Sequence, residues 1–150
     1  MLNFDDHDGK IWFNGELIPW RDCTLHVLSH GLHYASSVFE GERVYAGQVF
    51  KLREHSQRLI DSATALGFEI PYSLERIEQA TRDTVAEQGY PDAYVRPVAW
   101  RGSEMMGVSA QDAKINFAIA VWEWPSYFSP EARLQGIRLK TSKWKRPSPE

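Results

Sequence analysis

The chain has 150 residues, of which 43% are hydrophobic and 25% charged, values of a single globular domain with room for a real core. A formal charge of −3 and a pI near 6.0 give no electrostatic case for nucleic acid or an anionic membrane, and no apolar run reaches the roughly 18 residues of a spanning helix. The single cysteine, Cys23, has no internal disulfide partner, and the acidic start at Asp5, Asp6 and Asp8 lacks the apolar region of a signal peptide, so a cytoplasmic protein is expected.

In chain order, Ile11-Trp12-Phe13 and Glu16 to Trp20 are β-prone runs separated by Asn14-Gly15, a strong hairpin signal because both central residues of a type I′ turn need positive φ. Ser29 to Gly41 has neither a clean helical nor a clean strand period. It mixes small residues with His, Tyr and Phe, as where a backbone approaches a ligand or another chain, although an ordinary loop would read the same way. Arg43-Val44-Tyr45, Ala46-Gly47 and Gln48 to Lys51 read as a second hairpin. A helix is predicted from about Arg53 to Leu66, where Leu59, Ile60, Ala63 and Leu66 recur and Gly67 gives a stop. A second is predicted over Leu74–Gln88, with Ser73 as N-cap and Gly89 past its end.

Two longer strands follow. Tyr94, Arg96, Val98 and Trp100 share one face of the first, and Pro97 predicts an edge position or a bulge there. The second has Ile115, Phe117, Ile119 and Val121 on one face and Ala118, Ala120 and Trp122 on the other, so it is predicted to be central. A last strand is predicted over Gly136 to Thr141, before the basic, proline-rich tail that runs to Glu150. Strands at both ends with two helices between them give an α+β fold, a two-layer sandwich of a mainly antiparallel sheet and two helices. Residues 1–142 are expected to form one domain and 143–150 to begin a linker, with a second domain expected after it.

Three groups could carry chemistry. His26, His30 and His33 have helical spacing for a three-ligand zinc site, but Gly31 interrupts them and no carboxylate stands at a supporting spacing; structural histidines bonded to carbonyls are the simpler reading, and no metal is assigned. His55 and Arg58 are three apart on the first long helix, where the guanidinium either reaches an anion or stays solvated. Tyr94 and Arg96 place a phenol and a guanidinium side by side, suited to a carboxylate or to an internal salt bridge.

Several ordered blocks resemble the branched-chain amino-acid aminotransferases, pyridoxal-phosphate enzymes of fold type IV. They are Ile11-Trp12-Phe13-Asn14-Gly15-Glu16, His26-Val27-Leu28-Ser29-His30 through Val38-Phe39-Glu40-Gly41, Arg53 through Leu59, Ala93-Tyr94-Val95-Arg96-Pro97, and Met106-Gly107-Val108. The resemblance implies that Arg58 holds the cofactor phosphate. It puts Phe39, Gly41, Trp124 and Tyr127 in the substrate pocket, Tyr94 near the substrate α-carboxylate, and Arg96 at the side-chain carboxylate of glutamate. Tyr34 and Val108 then belong to the neighbouring subunit's pocket in a homodimer or higher homo-oligomer. The implied reaction moves an amino group between Leu, Ile or Val and 2-oxoglutarate, small-molecule amino and 2-oxo acids. Such enzymes need a lysine bound to the cofactor, and the resemblance places it after the linker, beyond Glu150. Lys140, Lys143 and Lys145 precede that position and lack its surroundings, so no catalytic residue is assigned here and the chain is expected to be inactive alone. A non-catalytic dimerisation fragment, the related D-amino-acid transaminases and aminodeoxychorismate lyases, and a metal enzyme using the three histidines stand as alternatives.

Overall fold

A computed structural model describes residues 3–124 and 128–148. Asn14 and Gly15, at φ 50° and 117°, turn Lys10–Phe13 (β1) back onto Glu16–Pro19 (β2), with Phe13 opposite Glu16. Trp20, expected in the second run, instead opens a 3-10 turn, Trp20–Asp22, and donates its indole N–H to the Phe4 carbonyl at 2.7 Å. The aperiodic stretch resolves into a short helix, His30–Tyr34 (α1), ended by Ala35 at φ 55°, and a strand, Ser37–Phe39 (β3). Ala46 and Gly47, at φ 49° and 75°, turn Glu42–Tyr45 (β4) into Gln48–Val49 (β5). This second strand stops before Phe50, because the left-handed Lys51, φ 58°, already starts the next helix.

The two long helices are Leu52–Ala65 (α2) and Leu74–Gln88 (α3). Ser73 caps α3 by accepting the Arg76 N–H, and Gly89 ends it at φ 69°. Ala93–Arg101 (β6) and Ile115–Glu123 (β7) pair antiparallel along their whole length, Pro97 opposite Ile119. Among the described residues the sheet has seven strands, running β2-β1-β7-β6-β4-β5 with β3 also on β6. β7 is central, as its two apolar faces predict.

Two expectations are corrected. β6 is not an edge strand and carries no bulge, since β7 flanks it on one side and β3 and β4 on the other. Phe39 faces Val98 and Glu42 faces Val95, so the register is the same before and after the interruption at Glu40–Gly41. The Pro97 carbonyl accepts the Glu40 N–H at 3.0 Å, and the missing proline N–H lies on that same side of its strand, so the ladder is broken in the neighbouring strand. Nor do Gly136 to Thr141 form a strand. Ser129, Pro130 and Glu131 begin a short helix, Pro130–Gln135 (α4), and Gly136 closes it. Ile137 and Leu139 beyond it are 58% and 86% exposed, without a strand beside them among the described residues. Of the segment expected to begin a linker, Glu150 and the residue before it lie outside the described residues.

The alternation of β6 and β7 splits the apolar residues into two layers. Val95, Ala99, Phe117, Ile119 and Val121 pack against Leu59, Ala63, Ile77 and Ala80 of the helices. On the other face Trp100, Ala118 and Trp122 join Ile11 and Trp20, with Phe13, Tyr94 and Trp124 partly buried around them. Glu78, 8% exposed, ties α3 to α2 by accepting from Arg53 at 2.9 Å, and it also accepts from Arg82 at 3.0 Å.

Glu42 breaks the apolar rule of the helix-side layer. It is 1% exposed and both its carboxyl oxygens lack a hydrogen-bond partner. Burial, helped by the charge of Glu40, pushes its pKa up to about 8. The folded chain therefore keeps a proton that the unfolded chain releases near pH 4.5, and this part of the stability is lost as pH rises towards 8. Raising the pH from 6 to 9 should lower the melting temperature by roughly 5–10 °C more in the wild type than in Glu42→Gln. Parallel pH profiles of the two proteins in thermal unfolding would show that the carboxyl does not titrate this way.

Candidate active site

The site grows out of the interrupted strand. Val38, Glu40 and Glu42 point to the helix side of the sheet, while Phe39 and Gly41 belong to the other face with Tyr94 and Arg96. Gly41 lies where a Cβ would collide with the Tyr94 hydroxyl and come within 2.9 Å of its Cζ, so the absent side chain is what lets the tyrosine lie over the strand. The Tyr94 ring stacks on Trp124 at 4.6 Å and leans on Trp122 at 5.0 Å.

Arg96 is placed by this aromatic group. Its Nη2 donates to the Tyr94 hydroxyl at 2.9 Å, and its guanidinium carbon lies 4.2 Å from the Phe39 ring centre and 5.2 Å from that of Tyr94. Its Nε is buried without a hydrogen-bond partner, and among the described residues no carboxylate pairs with it. The internal salt bridge that the sequence left open is therefore not made there. A guanidinium held by aromatic faces and one phenol keeps an unneutralised charge, at a desolvation cost that a bound carboxylate would relieve.

Beside Arg96 the sheet carries an apolar cavity of about 300 Å³. Its walls are Ile11, Phe13, Leu25, Leu32, Val98, Trp100, Ala118 and Ala120, with Cys23, Thr24, Gly31 and Ser37, and among the described residues Arg96 is the one charged residue lining it. Burial pushes the Cys23 thiol up, so it lines the wall as a neutral group. A wall of this kind has the polarity of an aliphatic side chain, and the arginine in it offers donors suited to an acid.

Arg58 stands on the helix side. Its Nε and Nη2 each donate to Glu40 at 2.6 Å in a two-point fork, and His55 Nδ1 lies 2.9 Å from the same carboxylate. The Arg58 hydrogen bonds hold the Glu40 carboxyl below its usual range, against desolvation and with help from His55. The Arg58 side chain remains 65% exposed, whereas that of Glu40 is 7% exposed.

Tyr34 and Val108 meet at a third place. They line a cavity of about 360 Å³ with His30, Ser36 and Arg101, and are 46% and 81% exposed. The three histidines do not converge, and no group of metal-binding side chains stands among the described residues. His26 Nδ1 accepts the Leu28 N–H, His30 bonds Ser36 and the Gly107 carbonyl, and His33 bonds the Val27 carbonyl.

The structure thus gathers Phe39, Gly41, Tyr94, Arg96 and Trp124 into one cluster, pairs Tyr34 with Val108, and keeps Arg58 behind the strand. Tyr127 lies outside the described residues. The sequence reading passed over Glu40, although its place between Phe39 and Gly41 already set it on the opposite face. It also passed over the cavity floor, where Ala118 and Ala120 alternate on one face of a central strand and leave room that larger residues would fill. Gly41→Ala should push Tyr94 off Trp124 and destabilise the fold by about 1–3 kcal/mol. An unchanged near-UV circular dichroism spectrum and melting temperature would contradict that packing.

Residues 37–150 match the family model of amino-transferase class IV. The chain is 45% identical over 149 residues to the branched-chain-amino-acid aminotransferase of Pseudomonas aeruginosa, covering 97% of this chain and 48% of that protein. It is 44% identical over 150 residues to a probable branched-chain-amino-acid aminotransferase of Rickettsia typhi, covering 100% of this chain and 51% of that one. Among solved structures, the branched-chain amino acid aminotransferase from Escherichia coli superposes with a TM-score of 0.84 at 38% identity, covering 95% of this chain and 47% of the other. The branched-chain amino acid aminotransferase of T.th., solved with pyridoxamine 5'-phosphate, superposes at 0.78 and 40% identity, covering 84% and 43%. The chain spans about half the length of these relatives.

Proposed function

The chain belongs to the amino-transferase class IV family, and from that membership we propose that residues 1–142 are the N-terminal domain of a pyridoxal-phosphate transaminase exchanging the amino group between branched-chain L-amino acids and 2-oxoglutarate. Residues 143–150 begin the linker to a second domain in this reading, which the half-length match to the relatives supports. Among the described residues no helix is long and apolar enough to cross a membrane, and a cytoplasmic homo-oligomer is proposed.

The observation that carries the reading is Arg96, a guanidinium without a carboxylate partner among the described residues, set in the wall of an otherwise uncharged apolar cavity. One pocket must take Leu, Ile or Val and then glutamate. The apolar wall receives the aliphatic side chains while Arg96 rests on Phe39 and Tyr94. The glutamate carboxylate then supplies the charge-assisted hydrogen bonds that Arg96 lacks, and Tyr94 stands beside it as a donor for the α-carboxylate.

Arg58 fits the cofactor phosphate by its donors. Glu40 fixes its orientation through Nε and Nη2, leaves Nη1 outside that fork, and the guanidinium is largely exposed. Pyridoxal phosphate, when bound, supplies the conjugated ring that draws electrons from the substrate α-carbon. This chain's residues would orient the substrate and hold the phosphate, and the lysine that binds the cofactor is placed in the second domain, beyond Glu150. Tyr34 and Val108 would face the neighbouring subunit's pocket.

Arg96→Ala in the intact enzyme should slow the half-reaction with glutamate by about 100-fold while that with leucine changes by less than about threefold, the loss of one charge-assisted contact. Equal losses in both single-turnover rates would remove Arg96 from this role. Residues 1–150 alone, incubated with the cofactor and then freed of unbound cofactor by gel filtration, should retain no visible absorption and carry no pyridoxyl group after borohydride treatment; a pyridoxyl-lysine fixed stoichiometrically at one position would overturn the assignment of the lysine to the second domain.

A further inference from the structure

His30 and Arg101 are both buried, 2% and 5% exposed, and neither belongs to the aromatic cluster or to the Arg58 fork. The His30 ring stacks on Tyr34, centres 4.4 Å apart and 23° between planes. Its Nε2 lies 3.1 Å from the Gly107 carbonyl and its Nδ1 lies 2.6 Å from Ser36 Oγ. A carbonyl can only accept, so Nε2 carries a proton and donates it to Gly107, while Nδ1 shares a hydrogen bond with the Ser36 hydroxyl. One imidazole therefore touches Tyr34 on its face and, at its edge, the peptide preceding Val108.

Arg101 grips the same loop further on. Its Nη1 donates to the Ala110 carbonyl and its Nη2 to the Gly67 carbonyl past the end of α2, both at 2.7 Å. Its backbone N–H donates to the Ser36 carbonyl at 3.1 Å, and Gly102 N–H closes the loop base on the Lys114 carbonyl at 2.8 Å. Among the described residues no carboxylate pairs with Arg101, so the carbonyls and the Phe68 ring, 5.5 Å from its guanidinium carbon, surround the charge. Val108 is thus carried between two anchored carbonyls, those of Gly107 and Ala110, and is 81% exposed all the same. Hydrogen bonds that hold an apolar tip outward against solvent suit a tip completed by another surface.

We propose that His30 and Arg101 are positioning residues acting across the subunit boundary: they lock Tyr34 and the Val108 loop into one rigid unit that shapes the neighbouring subunit's substrate pocket. The proposal rests on the reading that Tyr34 and Val108 enter that pocket. It makes His30 act in trans and Arg96 in cis.

Subunit mixing in the intact, cofactor-loaded enzyme tests it. His30→Ala should lower kcat/KM for leucine and 2-oxoglutarate by about 30-fold, in the range expected when supporting residues let a site shift by a fraction of an ångström. Mixed dimers, purified through two different tags, pair one His30→Ala subunit with one Arg96→Ala subunit. One site then carries both lesions and the other neither, so with 2-oxoglutarate limiting, the half-reaction that Arg96→Ala slows, activity should return to about half that of the wild type, at least tenfold above either parent. A lesion that merely damaged its own subunit would spoil both sites, and no recovery would follow. Arg101→Met in place of His30→Ala should recover in the same way and covers the case that the histidine variant does not fold. Mixing Tyr34→Ala with Arg96→Ala separates the two layers. Recovery there without recovery for His30 and Arg101 overturns this proposal alone, and failure of all three mixtures overturns the shared-pocket reading and this proposal with it. Wild-type kinetics in His30→Ala with only a lowered melting temperature would also overturn it.

Discussion

A proline inside a central strand removes one ladder hydrogen bond, and much of this molecule follows from where that gap falls. Opposite Pro97 the neighbouring strand gives up regular pairing at Glu40 and Gly41 without slipping register, so its residues keep their alternation. Phe39 and Gly41 serve the face with Tyr94 and Arg96, and Glu40 between them turns to α2 and fixes Arg58. Two consecutive residues, Phe39 and Glu40, thus touch the two arginines of the candidate site from opposite sides of one sheet. A register slip of one residue would exchange the two faces and undo both arrangements.

The three arginines that matter are held in three different ways, and each way sets what the residue can do. Arg58 has a carboxylate in a two-point fork, which fixes its direction while leaving it largely in water. Arg96 has only aromatic faces and a phenol, so it keeps its appetite for an acid. Arg101 is buried among backbone carbonyls, where its planar fork spans two chain segments as a brace. Lysine would serve poorly in any of these places, because each uses at least two directed donors or a flat face.

What could be read from the sequence was what depends on one or two neighbouring residues. Both two-residue turns, the cap and bounds of α3 and the central place of β7 follow from local chemistry. Pro97 was misread because the rule for proline concerns one strand, whereas here the partner strand yields. The alternation of Ile137 and Leu139 suggested a strand, yet a strand needs an edge to join, and the signals for α4 at Ser129, Pro130 and Glu131 went unused. The histidine spacing suggested a metal site only if all three lay on one helix, and α1 begins at His30, after His26. Of the candidate site, the cluster around Arg96 was legible through the resemblance, while Glu40, the cavity floor and the His30 contacts required the fold. The burial of Glu42 has no local signal at all, since a charged residue on a strand ordinarily marks the solvent side.

Left-handed backbone at residues other than glycine recurs at three of these junctions: Ala35 behind Tyr34, Lys51 ahead of the helix bearing Arg58, and Ala110 at the far anchor of the Val108 loop, at φ 55°, 58° and 36°. Each such residue costs about 1 kcal/mol or more relative to a right-handed turn. A short peptide cut from any of these segments would relax out of that conformation, because nothing local repays the strain. The exposed side chains of Tyr34, Arg58 and Val108 are therefore held by distant contacts rather than by the preferences of their own segments. In evolutionary terms the surface around Tyr34 and Val108 cannot be transplanted as a loop; it travels only with the sheet and the helix that hold it bent.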